Sequence, residues 1–145
     1  MNKVQKRLAF FLPDLSDGGA ERIMLNLAEG ITARGHAVDL VLSSAQGPFM
    51  NAIPDSVRLV DLKARRVLGS MPALLGYLRR ERPAAMLSIL HANIVALWAK
   101  RLAGFPYRLI LAEHNTLSSV ASGEGDLRWA LFPKLAGWFY PWGKR

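Results

Sequence analysis

The chain has 145 residues, of which 51% are hydrophobic and 21% charged, so it is long enough for one domain with a buried core and is not a disordered chain. It contains no cysteine, which excludes a disulfide framework and thiolate chemistry. Its net charge of +8 leaves nucleic acid, anionic lipid and phosphorylated small molecules as classes of partner.

The first residues predict a buried strand and not a targeting segment. Residues 7–12 (RLAFFL) are continuously apolar, which is typical of a strand covered on both faces. The basic start MNKVQKRLAFFLPDL does not form a signal peptide, because its apolar run stops at Pro13 and Asp14.

An amphipathic helix is predicted next, over residues 19–34. Apolar residues recur there at helical spacing, and Gly35 follows at the position where a C-terminal cap glycine is usual. The stripe that we expect to face the sheet consists of Met24, Leu27, Ala28 and Ile31.

Strands and helices continue to alternate up to residue 113. The remaining elements are predicted as strands at 37–43, 57–62, 84–90 and 107–113 and as helices at 71–81 and 93–104, followed by a loop and an aromatic segment that is helical in part. Strands separated by helices predict an α/β fold with a Rossmann-like, doubly wound parallel sheet.

Basic residues cluster in the middle of the chain. They are Lys63, Arg65, Arg66, Arg79, Arg80 and Arg82. Such a run is usually a solvated helix face, and an anionic membrane surface is the alternative. The longest apolar stretch, residues 84–99, is interrupted by polar residues and is too short to cross a bilayer. We therefore expect a cytoplasmic protein, soluble or peripheral at the inner face of the membrane.

Glycine or polar residues follow three of the predicted strands. Ligands of doubly wound sheets bind beyond the carboxyl ends of the strands, at the switch in strand order, where strands one and four are neighbours. We therefore expect the three groups on one rim of one crevice. They are Gly18 and Gly19 after strand one, His91 and Asn93 after strand four, and Glu113, His114 and Asn115 after strand five.

The glycine pair has two alternative roles, ligand binding and turn formation. Adjacent glycines let a backbone approach a ligand closely, and a helix that begins just after them directs unpaired N–H groups towards an anion. Gly18 and Gly19 could equally do no more than shape the strand-to-helix turn.

The polar candidates also have structural alternatives. His91 could end its strand through a backbone hydrogen bond, Asn93 could cap the following helix, and Glu113 could pair with an arginine. His114 is the strongest candidate, because EHNT puts four polar side chains directly after the apolar run LILA. A neutral imidazole there can bind a sugar hydroxyl or accept a proton.

Motifs of several other enzyme classes are absent. The sequence has no P-loop, no G-x-G-x-x-G, no metal-ligand pattern and no G-x-S-x-G elbow. Asp39 stands at a suitable distance for a ribose-binding acid but falls within a strand, so an NAD-dependent oxidoreductase remains an alternative. A basic module that binds anionic membrane or nucleic acid is the non-enzymatic alternative.

The segment GGAERIMLNLAEGITARGHAVDLVL closely resembles the opening of family 4 glycosyltransferases of the GT-B fold. The resemblance continues through SILHANIVALWAKRLAG and RLILAEHNT and so covers most of the chain. It implies retaining, metal-independent transfer of a sugar from a nucleotide-sugar donor to a glycan or lipid-linked acceptor, as in polysaccharide biosynthesis. It implies no cofactor, since the nucleotide-sugar is a substrate, and it does not favour nucleic acid as a partner.

The resemblance also implies roles for individual residues. Gly18 and Gly19 would approach the donor phosphates, and His114 would be the catalytic histidine beside the donor sugar. The residues expected to contact the acceptor or the sugar are His91, Asn93, Glu113 and Asn115.

Family members have two Rossmann-like domains, and most of the nucleotide-sugar site lies in the second. Residues 1–145 resemble the N-terminal, acceptor-side domain and end before its last strand. We therefore expect this chain to lack the donor-binding domain and to transfer no sugar by itself.

Overall fold

A computed structural model describes residues 6–16 and 18–112. Five parallel strands form one sheet in this part of the chain, and helices pack on both of its faces. The strands are β1 (Arg7–Leu12), β2 (Ala37–Leu42), β3 (Arg58–Asp61), β4 (Ala85–Ile89) and β5 (Arg108–Ala112), and the helices are α1 (Gly19–Ala33), α2 (Met71–Glu81) and α3 (Ala92–Leu102). Two short 3₁₀ helices, Pro48–Ala52 and Val67–Ser70, precede β3 and α2.

The predicted order of strands and helices is confirmed, and β1 and α2 have the predicted bounds. The sheet order is β3-β2-β1-β4-β5, with every neighbouring pair parallel. Strands β1 and β4 are therefore neighbours, and the switch in strand order lies between their carboxyl ends. No described helix is long and apolar enough to cross a bilayer.

Alternate residues of the central strand enter two separate cores. Phe10 and Leu12 pack with Met24 and Ala28 of α1 on one face of the sheet. Phe11 packs on the opposite face, among side chains of α2 and α3. Because both faces of β1 are covered, every position of its second half is buried, which explains the continuous apolar run RLAFFL.

The predicted orientation of α1 is partly wrong. Leu27 was expected to face the sheet, but its side chain is 42% exposed. Leu25 is buried in its place, and the inward column consists of Glu21, Met24, Leu25 and Ala28. Apolar spacing alone favoured Leu27, because it could not show that an acidic residue, Glu21, belongs to the buried column.

Candidate functional site

The candidate site lies at the carboxyl edge of the sheet, where three loops meet. The loop from β1 to α1 lies between the loop after β2 and the turn from β4 to α3, because β1 lies between β2 and β4. Gly18 and Gly19 stand in the first of these loops, and His91 stands in the turn after β4. The predicted convergence of these residues on one edge therefore follows from the observed strand order.

The loop from β1 to α1 is held by the loop after β2. The backbone N–H of Leu15 donates to the carbonyl oxygen of Gln46 (2.9 Å), and the N–H of Ser44 donates to the carbonyl oxygen of Pro13 (3.1 Å). Gly47 has φ +116°, and a Cβ at this position would overlap the carbonyl group of Leu15. The loop that leads to Gly18 and Gly19 is therefore held on one side by backbone contacts with the loop after β2.

The two glycines differ in their surroundings. Gly18 is the extended N-cap residue of α1, and a Cβ on it would run into the carboxylate of Glu21. A Cβ on Gly19 would meet none of the described residues within 4 Å, so the space beside Gly19 is open in this part of the chain. A side chain at residue 18 is thus opposed by Glu21, whereas residue 19 faces the space in which a ligand could approach.

Glu21 is a residue of the site that the sequence analysis missed. It lies in the first turn of α1, is 6% exposed, and places its carboxylate against Gly18. A carboxylate there interacts favourably with the positive end of the helix dipole. The signal was available in the sequence, because an acidic residue three positions after an N-cap is the capping-box position.

The turn between β4 and α3 has an unusual backbone. Leu90 has φ +57°, in the left-handed region that a leucine rarely adopts, and its side chain packs against the α1-side core. The N–H of Asn93 donates to the carbonyl oxygen of Leu90 (3.1 Å) and closes the turn. This geometry presents His91 as the exposed N-cap residue of α3. Strained backbone of this kind is frequent at functional sites.

Asn93 is buried under the edge rather than standing on it. It is 5% exposed, and its Nδ2 donates to the carbonyl oxygen of Ala112 (3.2 Å). Its Oδ1 is buried and has no hydrogen-bond partner among the described residues. Asn93 therefore ties the start of α3 to the end of β5, and the alternative role of helix cap is wrong because the N-cap residue is His91.

Glu113, His114 and Asn115 lie outside the described residues. The last described residue, Ala112, is paired with Ile89 at the end of β4. The chain thus leaves β5 beside the turn that carries His91.

Asp39 belongs to a different part of the molecule. Its fully buried carboxylate accepts hydrogen bonds from Arg58 (3.0 and 2.6 Å), Arg7 (2.7 Å) and the hydroxyl of Tyr77 (2.7 Å). Burial and the Asp39 hydrogen bond raise the pKa of Tyr77 well above its usual range, so the hydroxyl stays protonated and keeps donating. Since Arg7 and Arg58 begin β1 and β3, this network lies towards the amino edge of the sheet. Asp39 is therefore not placed to bind a ribose, which weighs against the oxidoreductase alternative.

The described residues contain no group of three His, Cys, Asp or Glu side chains that could hold a metal ion.

Solved structures with a similar fold are glycosyltransferases of the GT-B class. Apo Phytolacca americana UGT2 shares 18% identity with a TM-score of 0.53, and the match covers 90% of this chain and 33% of that chain. The same protein complexed with UDP-2fluoro-glucose and pterostilbene shares 19% identity with a TM-score of 0.54 over 93% of this chain and 35% of its own. A UDP-glucosyltransferase from Polygonum tinctorium, in complex with 3,4-dichloroaniline, shares 16% identity with a TM-score of 0.58 over 94% of this chain and 34% of its own. At these identities the likeness shows the fold, and this chain spans about a third of the length of those proteins.

The family follows from the sequence comparison. Residues 17–145 match the family model Glycosyltransferase Family 4, and the chain belongs to this family. No match was found among curated proteins.

Proposed function

We propose that this chain is the acceptor-side part of a retaining, metal-independent glycosyltransferase that moves a sugar from a nucleotide-sugar donor to a glycan or lipid-linked acceptor. The observation that carries the proposal is the adjacency of β1 and β4. It brings the open space at Gly19 and the exposed His91 to one edge of one sheet. Membership of glycosyltransferase family 4 supports the same reaction.

The donor diphosphate would approach the open side of Gly19, at the first turn of α1. Backbone N–H groups of a helix N-terminus stabilise the negative charge that grows on a departing nucleotide. The buried carboxylate of Glu21 already occupies the Gly18 side of this turn. The phosphates would therefore bind away from Gly18, where repulsion from Glu21 is smaller.

The two histidines that follow β4 and β5 would serve the sugars. His114 is the proposed catalytic residue beside the donor sugar, and a neutral imidazole there can bind a hydroxyl or move a proton. His91 would contact the acceptor from the same rim of the crevice, since β4 and β5 are neighbouring strands. Asn93 would position both loops, because its amide links the start of α3 to the end of β5.

A second domain would complete the site. Sugar transfer requires donor and acceptor to be held in reacting geometry, which two domains that close over a cleft can achieve. This chain would supply one side of that cleft. We therefore expect the 145-residue chain alone to transfer no sugar, and a longer chain with a donor-binding domain to be active.

The test compares the 145-residue chain with the two-domain enzyme on a panel of UDP- and GDP-sugars, with a glycan and a lipid-linked acceptor. We expect the two-domain enzyme to remain active in EDTA. We also expect NMR to show that the product keeps the anomeric configuration of the donor sugar. Loss of activity in EDTA, or an inverted product, would contradict the corresponding part of the proposal.

Histidine variants of the two-domain enzyme test the assignment of the site. His114→Ala should lower the transfer rate by about 10²–10⁴-fold, the range for a positioned proton-transfer group. His36→Ala is the matched control, because His36 is exposed and stands just before β2, at the opposite edge of the sheet. Equal rates for both variants would remove His114 from the mechanism.

A further inference from the structure

Charge is distributed unevenly between the two helical layers. The segment of residues 62–106, which contains α2 and α3, has eight Lys and Arg residues and one acidic residue, Glu81. The segment of residues 13–36, which contains α1, has four acidic and two basic residues. Since α1 packs on one face of the sheet and α2 and α3 on the other, the part of the chain that the structure describes has one strongly basic side.

The basic cluster predicted at 63–82 is divided by the fold into two groups. Arg65 and Arg66 precede α2 at the carboxyl edge of the sheet, whereas Arg79 and Arg80 end α2 at the amino edge. Arg79 donates to the carbonyl oxygen of Leu102 (2.8 Å), and Arg80 pairs with Glu81 (3.2 Å). Arg65 and Arg66 are exposed and form no ion pair among the described residues.

Exposed apolar side chains lie on the same layer. Leu68, in the 3₁₀ helix just after Arg66, is 72% exposed, the highest value among the large apolar residues of the described chain. Trp98 and Leu102 are 44% and 50% exposed and stand four residues apart, so they share one side of α3. We call Arg65, Arg66, Leu68, Arg79, Trp98 and Leu102 the α2–α3 surface.

We propose that the α2–α3 surface docks the protein on an anionic lipid bilayer, with Leu68 inserted at the interface. Basic residues attract anionic head groups, and apolar side chains among them gain by burial in the acyl boundary. A nucleic-acid backbone would match the charge but would give Leu68 no apolar environment, so the exposed leucine favours lipid. Because Arg65, Arg66 and Leu68 lie at the carboxyl edge, docking there would bring the candidate site close to the membrane.

The test is flotation of the full chain with vesicles of phosphatidylcholine alone and of phosphatidylcholine with phosphatidylglycerol, at low and physiological salt. Each basic residue near the surface contributes about fivefold to binding, so Arg65→Glu with Arg66→Glu should lower the partition coefficient on anionic vesicles by at least about 25-fold. The matched control is Arg22→Glu with Arg34→Glu, the same charge change at exposed positions of the α1 side, which should have little effect. Leu68→Ser should weaken binding several-fold, and Ile23→Ser, at a 53% exposed residue of α1, should not.

Equal binding to neutral and anionic vesicles, or equal effects of the paired variants, would overturn the proposal. Gel-shift binding of an oligonucleotide that is lost with Arg65→Glu and Arg66→Glu, without any vesicle binding, would assign the surface to nucleic acid instead. These measurements do not involve sugar transfer, so they are independent of the proposed reaction.

Discussion

The α-carbon of Gly47 lies directly against the carbonyl group of Leu15, so the loop after β2 and the loop after β1 touch through their backbones. Leu15 is fully buried, and its N–H donates to the carbonyl oxygen of Gln46 (2.9 Å). The position of the loop that leads to Gly18 therefore depends on a glycine 29 residues further along the chain.

Gly47→Ala should destabilise the protein. A Cβ there would overlap the Leu15 carbonyl, and φ +116° is strained for any residue with a side chain, so the free energy of unfolding should fall by roughly 1–3 kcal/mol or more. Gly30→Ala is the control, because Gly30 lies within α1 with open space around it, and alanine there should add about 0.5–1 kcal/mol. Urea denaturation measures both, and equal stabilities would show that the loop contact is dispensable.

Gly18→Ala and Gly19→Ala should affect different properties of the two-domain enzyme. A Cβ at residue 18 would displace the Glu21 carboxylate, which ends a flexible side chain, so thermal stability should fall only slightly while activity falls with the moved charge. A Cβ at residue 19 would contact no described residue, so Gly19→Ala should fold normally and raise KM for the nucleotide-sugar. Thermal denaturation and donor titration separate the two effects. An unchanged donor KM in Gly19→Ala would place the phosphates elsewhere.

Removal of the Asp39 carboxylate should be among the most destabilising single changes. Asp39→Ala leaves the buried Tyr77 hydroxyl without an acceptor and removes one of the two carboxylates that pair with Arg7 and Arg58, so the loss should be at least about 1–3 kcal/mol. Tyr77→Phe removes one hydrogen bond to a charged group and should cost about 1.5–3 kcal/mol. Chemical denaturation gives both values. A larger loss for Tyr77→Phe than for Asp39→Ala would contradict Asp39 as the centre of the network.

Glu81 should make stability depend on acid pH. The hydrogen bond from Arg58, and then that from Arg80, lowers the pKa of Glu81 below its ordinary value. Because the folded-state pKa is the lower one, this stabilisation is present above the ordinary pKa and is lost as the pH falls through the folded-state pKa. Glu81→Gln should therefore have a lower Tm than the wild type at pH 7, and the difference should shrink in acid.

The control for this prediction is Glu29→Gln, an exposed α1 residue with no ion pair among the described residues. Its Tm difference from the wild type should be small at every pH. A Tm difference for Glu81→Gln that stays constant from neutral to acid pH would show that the Arg58 contact adds no net stability.

The strands and helices could be predicted because each has a local cause. Alternate residues of β1 serve two cores, so its sequence is apolar without interruption, and α2 ends at Glu81 as its pattern indicates. The position of the candidate site at the carboxyl edge of the sheet could also be predicted, because right-handed crossovers between parallel strands leave few possible orders of the strands. The roles of Glu113, His114 and Asn115 stay predictions, because these residues lie outside the described part of the chain.

The sequence by itself determined the element order, the adjacency of β1 and β4 and the edge at which the glycine turn and His91 stand, because these depend on periodicity and chain handedness. Only the tertiary structure decided that Leu90 adopts a positive φ and that Asp39 is held by Arg7, Arg58 and Tyr77. Local pattern could not assign the partners of Asp39, which are 19 to 38 residues away in the chain. A buried charge takes whichever donors the packed elements bring within hydrogen-bonding distance, and that distance exists only after the sheet and helices have assembled.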